Sequence, residues 1–109
     1  MSDIDVYGIG KVMDMANDFL LGAGDRPIHL SFDIDAVDPT VAPSTGTPVR
    51  GGLTYREAHH ECEAISDTGM LGSMDMVEVN PKLAGRVAGS ATAEVAVSLI
   101  ASAMGARIF

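Results

Sequence analysis

Two short apolar runs, each closing on carboxylates and separated by a segment of helical periodicity, restrict this chain to very few folds. The first run leads into Ser31-Phe32-Asp33-Ile34-Asp35-Ala36-Val37-Asp38-Pro39, and the second into Glu78-Val79-Asn80-Pro81. Strands joined through a helix pair in parallel, with a right-handed crossover. In open α/β sheets the ligand site lies beyond the carboxyl ends of the strands. Asp33 and Asp35 on one strand and Glu78 on the other should therefore meet at one mouth.

The remaining punctuation gives the order helix, strand, long loop, helix, strand, helix. Asp3 or Asp5 can cap a first helix running to about Leu21, with Ile9, Val12, Met13, Ala16, Phe19 and Leu20 as its apolar stripe and Gly22 and Gly24 as its stop. A strand is expected over residues 27–35, because Ile28, Leu30 and Phe32 alternate with His29, Ser31 and Asp33. Residues 36–52 hold three prolines and three glycines and read as a stiff loop, and loops of that length are commonly functional. Thr54 and Glu57 fit a capping box that opens a helix to about Asp67, with Tyr55, Ala58, Cys62 and Ile65 inward and Gly69 ending it. A second strand over residues 74–79 and a last helix over residues 86–103 follow, the helix turning Ala88, Ala91, Val95, Leu99 and Ser102 to one side. Two parallel strands do not make a self-sufficient sheet. The chain therefore reads as part of a larger α/β domain.

The acidic strand end carries the chemistry. In an extended chain Asp33 and Asp35 share a face, roughly 6–7 Å apart. Two anions so placed repel unless one is protonated or a cation lies between them. Carboxylate oxygens suit hard ions such as Mg, Ca or Mn. Glu78, at the neighbouring strand end, suits a cationic substrate. The structural alternatives are a polar strand end with an Asp-Pro turn, and a Glu78 satisfied by a backbone amide, Arg56 or Arg86.

Composition narrows the partners. The net charge of −8 disfavours nucleic acid and anionic membranes and favours cations. A single cysteine, Cys62, rules out an intrachain disulfide and a cysteine-built zinc site. No apolar run approaches a membrane span, and the acidic start carries no signal-peptide pattern, so a cytoplasmic location is expected. His29 reads as a hydrogen-bonded core residue, His59 and His60 as a solvated face, and Cys62 as buried. The methionines read as core filler, and Asp75 as structural.

Four segments together resemble the arginases of the ureohydrolase family: residues 29–39, Ser44-Thr45-Gly46-Thr47-Pro48-Val49, Gly51-Gly52-Leu53-Thr54-Tyr55-Arg56-Glu57, and Glu78-Val79-Asn80-Pro81. Tyr7-Gly8-Ile9-Gly10-Lys11-Val12-Met13 is similar too. The resemblance implies part of a three-layer α/β/α domain with parallel strands, usually assembled as trimers or hexamers. It implies hydrolysis of L-arginine to L-ornithine and urea at a binuclear Mn2+ centre. By position, Asp33 and Asp35 match the family's two late metal-ligand aspartates. Glu78 matches the carboxylate that pairs with the substrate guanidinium, and Thr47 a threonine of the substrate pocket. The family's Gly-Gly-Asp-His-type and Asp-Ala-His-x-Asp-type segments do not occur in these 109 residues. Residues 1–109 therefore read as the C-terminal portion of an arginase, beginning near an internal methionine and inactive alone. Two other readings compete. One is a non-catalytic partner that joins arginase oligomers. The other is a haloacid-dehalogenase-type phosphatase, which Asp33-Ile34-Asp35-Ala36-Val37 also fits, but that scheme gives the Thr-Gly-Thr-Pro loop no role.

Overall fold

The computed structural model describes residues 2–22, 26–46 and 50–106. In chain order these form α1 (Ser2–Tyr7), α2 (Ile9–Leu21), β1 (Ile28–Asp33), a single 3-10 turn (Ile34–Ala36), α3 (Tyr55–Asp67), β2 (Leu71–Val77) and α4 (Arg86–Ala103). β1 and β2 pair in parallel, from Ile28 opposite Leu71 to Asp33 opposite Val77. The α/β class and the parallel pairing agree with the sequence reading, and α3 makes the connection between the strands.

β1 alternates as expected. Ile28, Leu30 and Phe32 are buried, while His29, Ser31 and Asp33 lie on the open face of the sheet. The apolar face continues through Ile34 into a core with Val37, Ala42, Leu53, Ala58, Cys62, Ile65, Ala96 and Leu99. The helix over α3 starts where the capping box places it. The Glu57 N–H donates to Thr54 Oγ1 at 3.1 Å, and the Thr54 N–H donates to Glu57 Oε1 at 2.9 Å. These bonds satisfy two of the donors that a helix start leaves open.

Several boundaries differ from the sequence reading. The first helix is two, because Gly8 adopts φ 81° between α1 and α2, a conformation that breaks helical continuity. Of the stripe expected on α2, only Met13 is buried, and Phe19 is 88% exposed. β1 stops two residues early, since Asp33 caps the 3-10 turn instead of continuing the strand. β2 begins earlier than expected, at Leu71, and ends at Val77, because Glu78 at φ 69° leaves the ladder.

The last helix has the expected length but a rotated face. Gly89, Thr92, Ala96, Leu99, Ser102 and Ala103 are buried, whereas Ala91 is exposed. Small residues all round give such a helix no sharp apolar stripe, so its rotation is set by fit. That fit is tight at Gly89, where a Cβ would sit 1.9 Å from the Pro81 carbonyl oxygen. No described helix is long and apolar enough to cross a membrane.

Candidate functional site

The candidate site lies at the carboxyl end of the two strands, where β1 gives way to the 3-10 turn and then to a further turn at residues 39–41. Asp33 ends β1, and its carboxylate Oδ1 accepts the Asp35 backbone N–H at 2.9 Å. This capping bond puts Asp35 on a turn, not on the same extended face as Asp33, and so corrects the strand-spacing argument. Both carboxylates nevertheless stay at the strand end. The third member of the triplet has another job. Asp38 accepts from the Thr40 N–H at 2.9 Å, from the Thr40 hydroxyl at 2.8 Å and from the Gly51 N–H at 3.0 Å. These donors, Thr40 first, hold the Asp38 carboxyl below its ordinary range. Asp38 thereby pins both ends of the long loop. Gly52 passes so near that a Cβ there would lie 2.7 Å from the Asp38 nitrogen.

That loop returns Ser44 and Thr45, both buried, beneath the strand ends. The Thr45 hydroxyl donates to the Asp35 carboxylate, and it lies 2.8 Å from the Glu78 carbonyl oxygen, which competes for the same proton. Thr45 also bridges to Val79 in antiparallel fashion. Asp35 and Glu78 thus both approach one hydroxyl, just beyond the ends of strands whose pairing stops at Asp33 and Val77. Glu78 is exposed, and its Oε2 lies against Gly46, where a Cβ would sit 3.5 Å away. Its φ of 69° is left-handed, a conformation that costs an ordinary residue roughly 1–2 kcal/mol. Such strain concentrates at functional sites held by their surroundings.

Thr47 lies outside the described residues. Sequence reasoning assigned a role to Thr47 in the Ser-Thr-Gly-Thr-Pro segment but none to Thr45 or Ser44. The available signal was the pair of adjacent hydroxyl residues directly after Pro43, midway along the proline-rich loop.

The other polar candidates are also placed. His29 is hydrogen-bonded, as expected, but on the open face of the sheet and not in the core. Its Nδ1 lies 2.7 Å from Ser73 Oγ and its Nε2 lies 3.2 Å from Asp75 Oδ2. The Ser31 hydroxyl donates to Asp75 Oδ1 at 2.6 Å and, with His29, keeps the Asp75 carboxyl below its usual range. His60 is exposed, as expected, but His59 is fully buried. The run of acidic neighbours suggested a solvated face, yet a helix turns each successive residue by about a third of a circle. His59 falls on the Cys62 side. Cys62 is buried as expected, and burial pushes its thiol up to about 12, which leaves it inert as a nucleophile.

As metal donors, Asp33 and Asp35 suit a hard divalent ion in kind. They do not suffice in number, since six oxygen ligands are usual for such ions. Among the described residues no group of three or more His, Cys, Asp or Glu side chains is placed to hold a metal.

Fold and geometry together define a parallel α/β protein with two aspartates and a left-handed glutamate gathered at the carboxyl ends of its strands. The Arginase family model matches residues 1–105, and the chain belongs to that family. It is 58% identical over 106 residues to the mitochondrial arginase-2 of Homo sapiens, covering 96% of this chain and 30% of that protein. The crystal structure of arginase from Bacillus subtilis superposes with a TM-score of 0.87 at 41% identity, over 99% of this chain and 38% of that one. The Entamoeba histolytica arginase in complex with L-ornithine superposes with a TM-score of 0.83 at 31% identity, over 96% and 34% of the two chains. The chain thus spans about 30% of the length of the curated relatives it matches.

Proposed function

We propose that these residues form one part of an arginase that hydrolyses L-arginine to L-ornithine and urea, contributing the paired aspartates and the guanidinium-binding glutamate. The observation that carries this reading is the Thr45 hydroxyl, which ties the Asp35 carboxylate to the Glu78 backbone at one end of two parallel strands. Asp33 and Asp35 would hold divalent ions, manganese in this reading, together with ligands that these 109 residues do not contain. When bound, such ions supply Lewis-acid activation of water. The Glu78 carboxylate binds the planar guanidinium and orients it, a geometry that carboxylates satisfy with two parallel hydrogen bonds. By resemblance, Thr47 matches a threonine of the family's substrate pocket. The complete protein assembles as a trimer or hexamer in this reading.

The test replaces the matching segment of human arginase-2 by residues 1–105 and measures urea release from L-arginine with added manganese. The chimera turns over arginine, while Asp33→Asn, Asp35→Asn and Glu78→Gln each lower kcat/KM by about a hundredfold or more. A folded chimera without activity, or full activity in the Glu78→Gln variant, overturns the reading. The 109-residue chain itself releases no urea above background.

A second reading, a non-catalytic partner of arginase oligomers, draws on the apolar surface of α1 and α2, where Val6 is 72% and Phe19 88% exposed. Co-elution with a full-length arginase supports it, and separate elution removes it.

A further inference from the structure

We propose that Thr92, in the middle of α4, is a positioning residue for the candidate site and sets the geometry of Glu78 and Asp35 through Ser44. The proposal rests on the reading of Glu78 as the substrate carboxylate. Thr92 is fully buried. Its hydroxyl donates to the Ala88 carbonyl oxygen at 2.8 Å and accepts the Ser44 backbone N–H at 3.0 Å. Ser44 is fully buried too, and it grips the segment after β2 from two sides. The Asn80 N–H donates to the Ser44 carbonyl oxygen at 3.0 Å, and the Ser44 hydroxyl donates to the Asn80 carbonyl oxygen. The same Ser44 Oγ accepts the Ala84 N–H at 3.3 Å.

Glu78 is therefore bracketed. Thr45 holds its own carbonyl, Ser44 holds Asn80 two residues on, and both belong to one buried dipeptide. The helix reaches this dipeptide through the Thr92 hydroxyl. The left-handed φ of Glu78 and the direction of its carboxylate depend on where that dipeptide sits. The packing of Gly89 on Pro81 brings α4 close to the same segment. A hydroxyl at position 92 joins the last helix to both acids without touching either.

Thr92→Val keeps the shape and removes the acceptor, leaving the Ser44 N–H buried and unpaired, whereas Thr92→Ser keeps the bond. Both variants are made in the chimera with human arginase-2, and two readouts are taken: kcat and KM for urea release, and amide hydrogen exchange. In Thr92→Val, kcat/KM falls about tenfold or more, the scale expected when a reacting group is displaced from afar. The Asn80 amide exchanges faster while the α3 amides do not change. Thr92→Ser restores both. The proposal is overturned if either readout stays at the native level in Thr92→Val, if Thr92→Ser behaves like Thr92→Val, or if exchange accelerates throughout the protein. If the native chimera releases no urea, the arginase reading falls, and selective Asn80 exchange alone decides whether Thr92 positions the segment.

Discussion

His59 of α3 and Ser102 of α4 meet inside the core, with His59 Nδ1 2.7 Å from Ser102 Oγ. Ser98 Oγ donates to the Val95 carbonyl at 2.9 Å and lies 3.3 Å from His59 Nε2. With that proton on Val95, the neutral tautomer that places the ring hydrogen on Nε2 lets His59 donate to Ser98 and accept from Ser102. Tyr55 stacks edge-on against the ring at 4.4 Å. A neutral imidazole satisfies every one of these contacts.

Burial lowers the His59 pKa below its ordinary 6.5, with the Glu63 carboxylate acting in the opposite direction. The folded state then binds fewer protons than the unfolded one, so stability rises with pH across this range. The stabilisation is complete above about pH 6.5 and is lost as pH falls toward the lower folded value, with a slope of at most about 1.4 kcal/mol per pH unit. Urea denaturation at a series of pH values should show this slope, and His59→Gln should flatten it. An unchanged slope in His59→Gln would place the titration elsewhere.

Gly89→Ala should destabilise the fold by about 1–3 kcal/mol, the usual cost of overpacking. The added Cβ would sit 1.9 Å from the Pro81 carbonyl oxygen, which is backbone and gives way only if α4 shifts. The denaturant midpoint measures it. Gly105→Ala is the comparison for backbone strain without a close clash, since its φ is 108° and its Cβ would meet only Ser66 Oγ, at 3.6 Å.

Thr54→Ala should cost about 1 kcal/mol, because the Glu57 N–H loses its acceptor at the start of α3. Thr54→Ser should retain most of the stability. Chemical denaturation of both variants separates the loss of the hydroxyl from the loss of the methyl group.

Replacing Glu78 separates strain from binding. Glu78→Gly removes the left-handed penalty and should leave stability unchanged or raise it by up to about 1 kcal/mol. Glu78→Gln keeps the strain and should leave stability as it is. A clear fall in the denaturant midpoint of Glu78→Gly would show that the side chain, not the backbone, stabilises this corner.

Where the sequence was legible, a local rule was enough. The Thr54–Glu57 box is a contact between neighbours in the chain, and it appears in the structure with both bonds. The alternation of β1 and the parallel order of the strands follow from period and connectivity, so they too were readable. Asp33, Asp35 and Glu78 were placed at one sheet end by the same reasoning. The reading missed where one local signal overrode another. The extended strand predicted through Asp35 gave way to a capped turn, because the Asp33 carboxylate captured a backbone donor two residues on. His59 lay among charged neighbours in sequence but on the packed side of the helix in space.

What the order of residues dictates here is an α/β segment with acids at its strand ends, because periodicity and turn chemistry act over a few residues. The tertiary structure decides which side chains hold those acids in place. Thr45 reaches Glu78 across 33 positions, and Thr92 reaches Ser44 across 48. Contacts between residues that far apart exist only once the core has packed around Ile34 and Leu99.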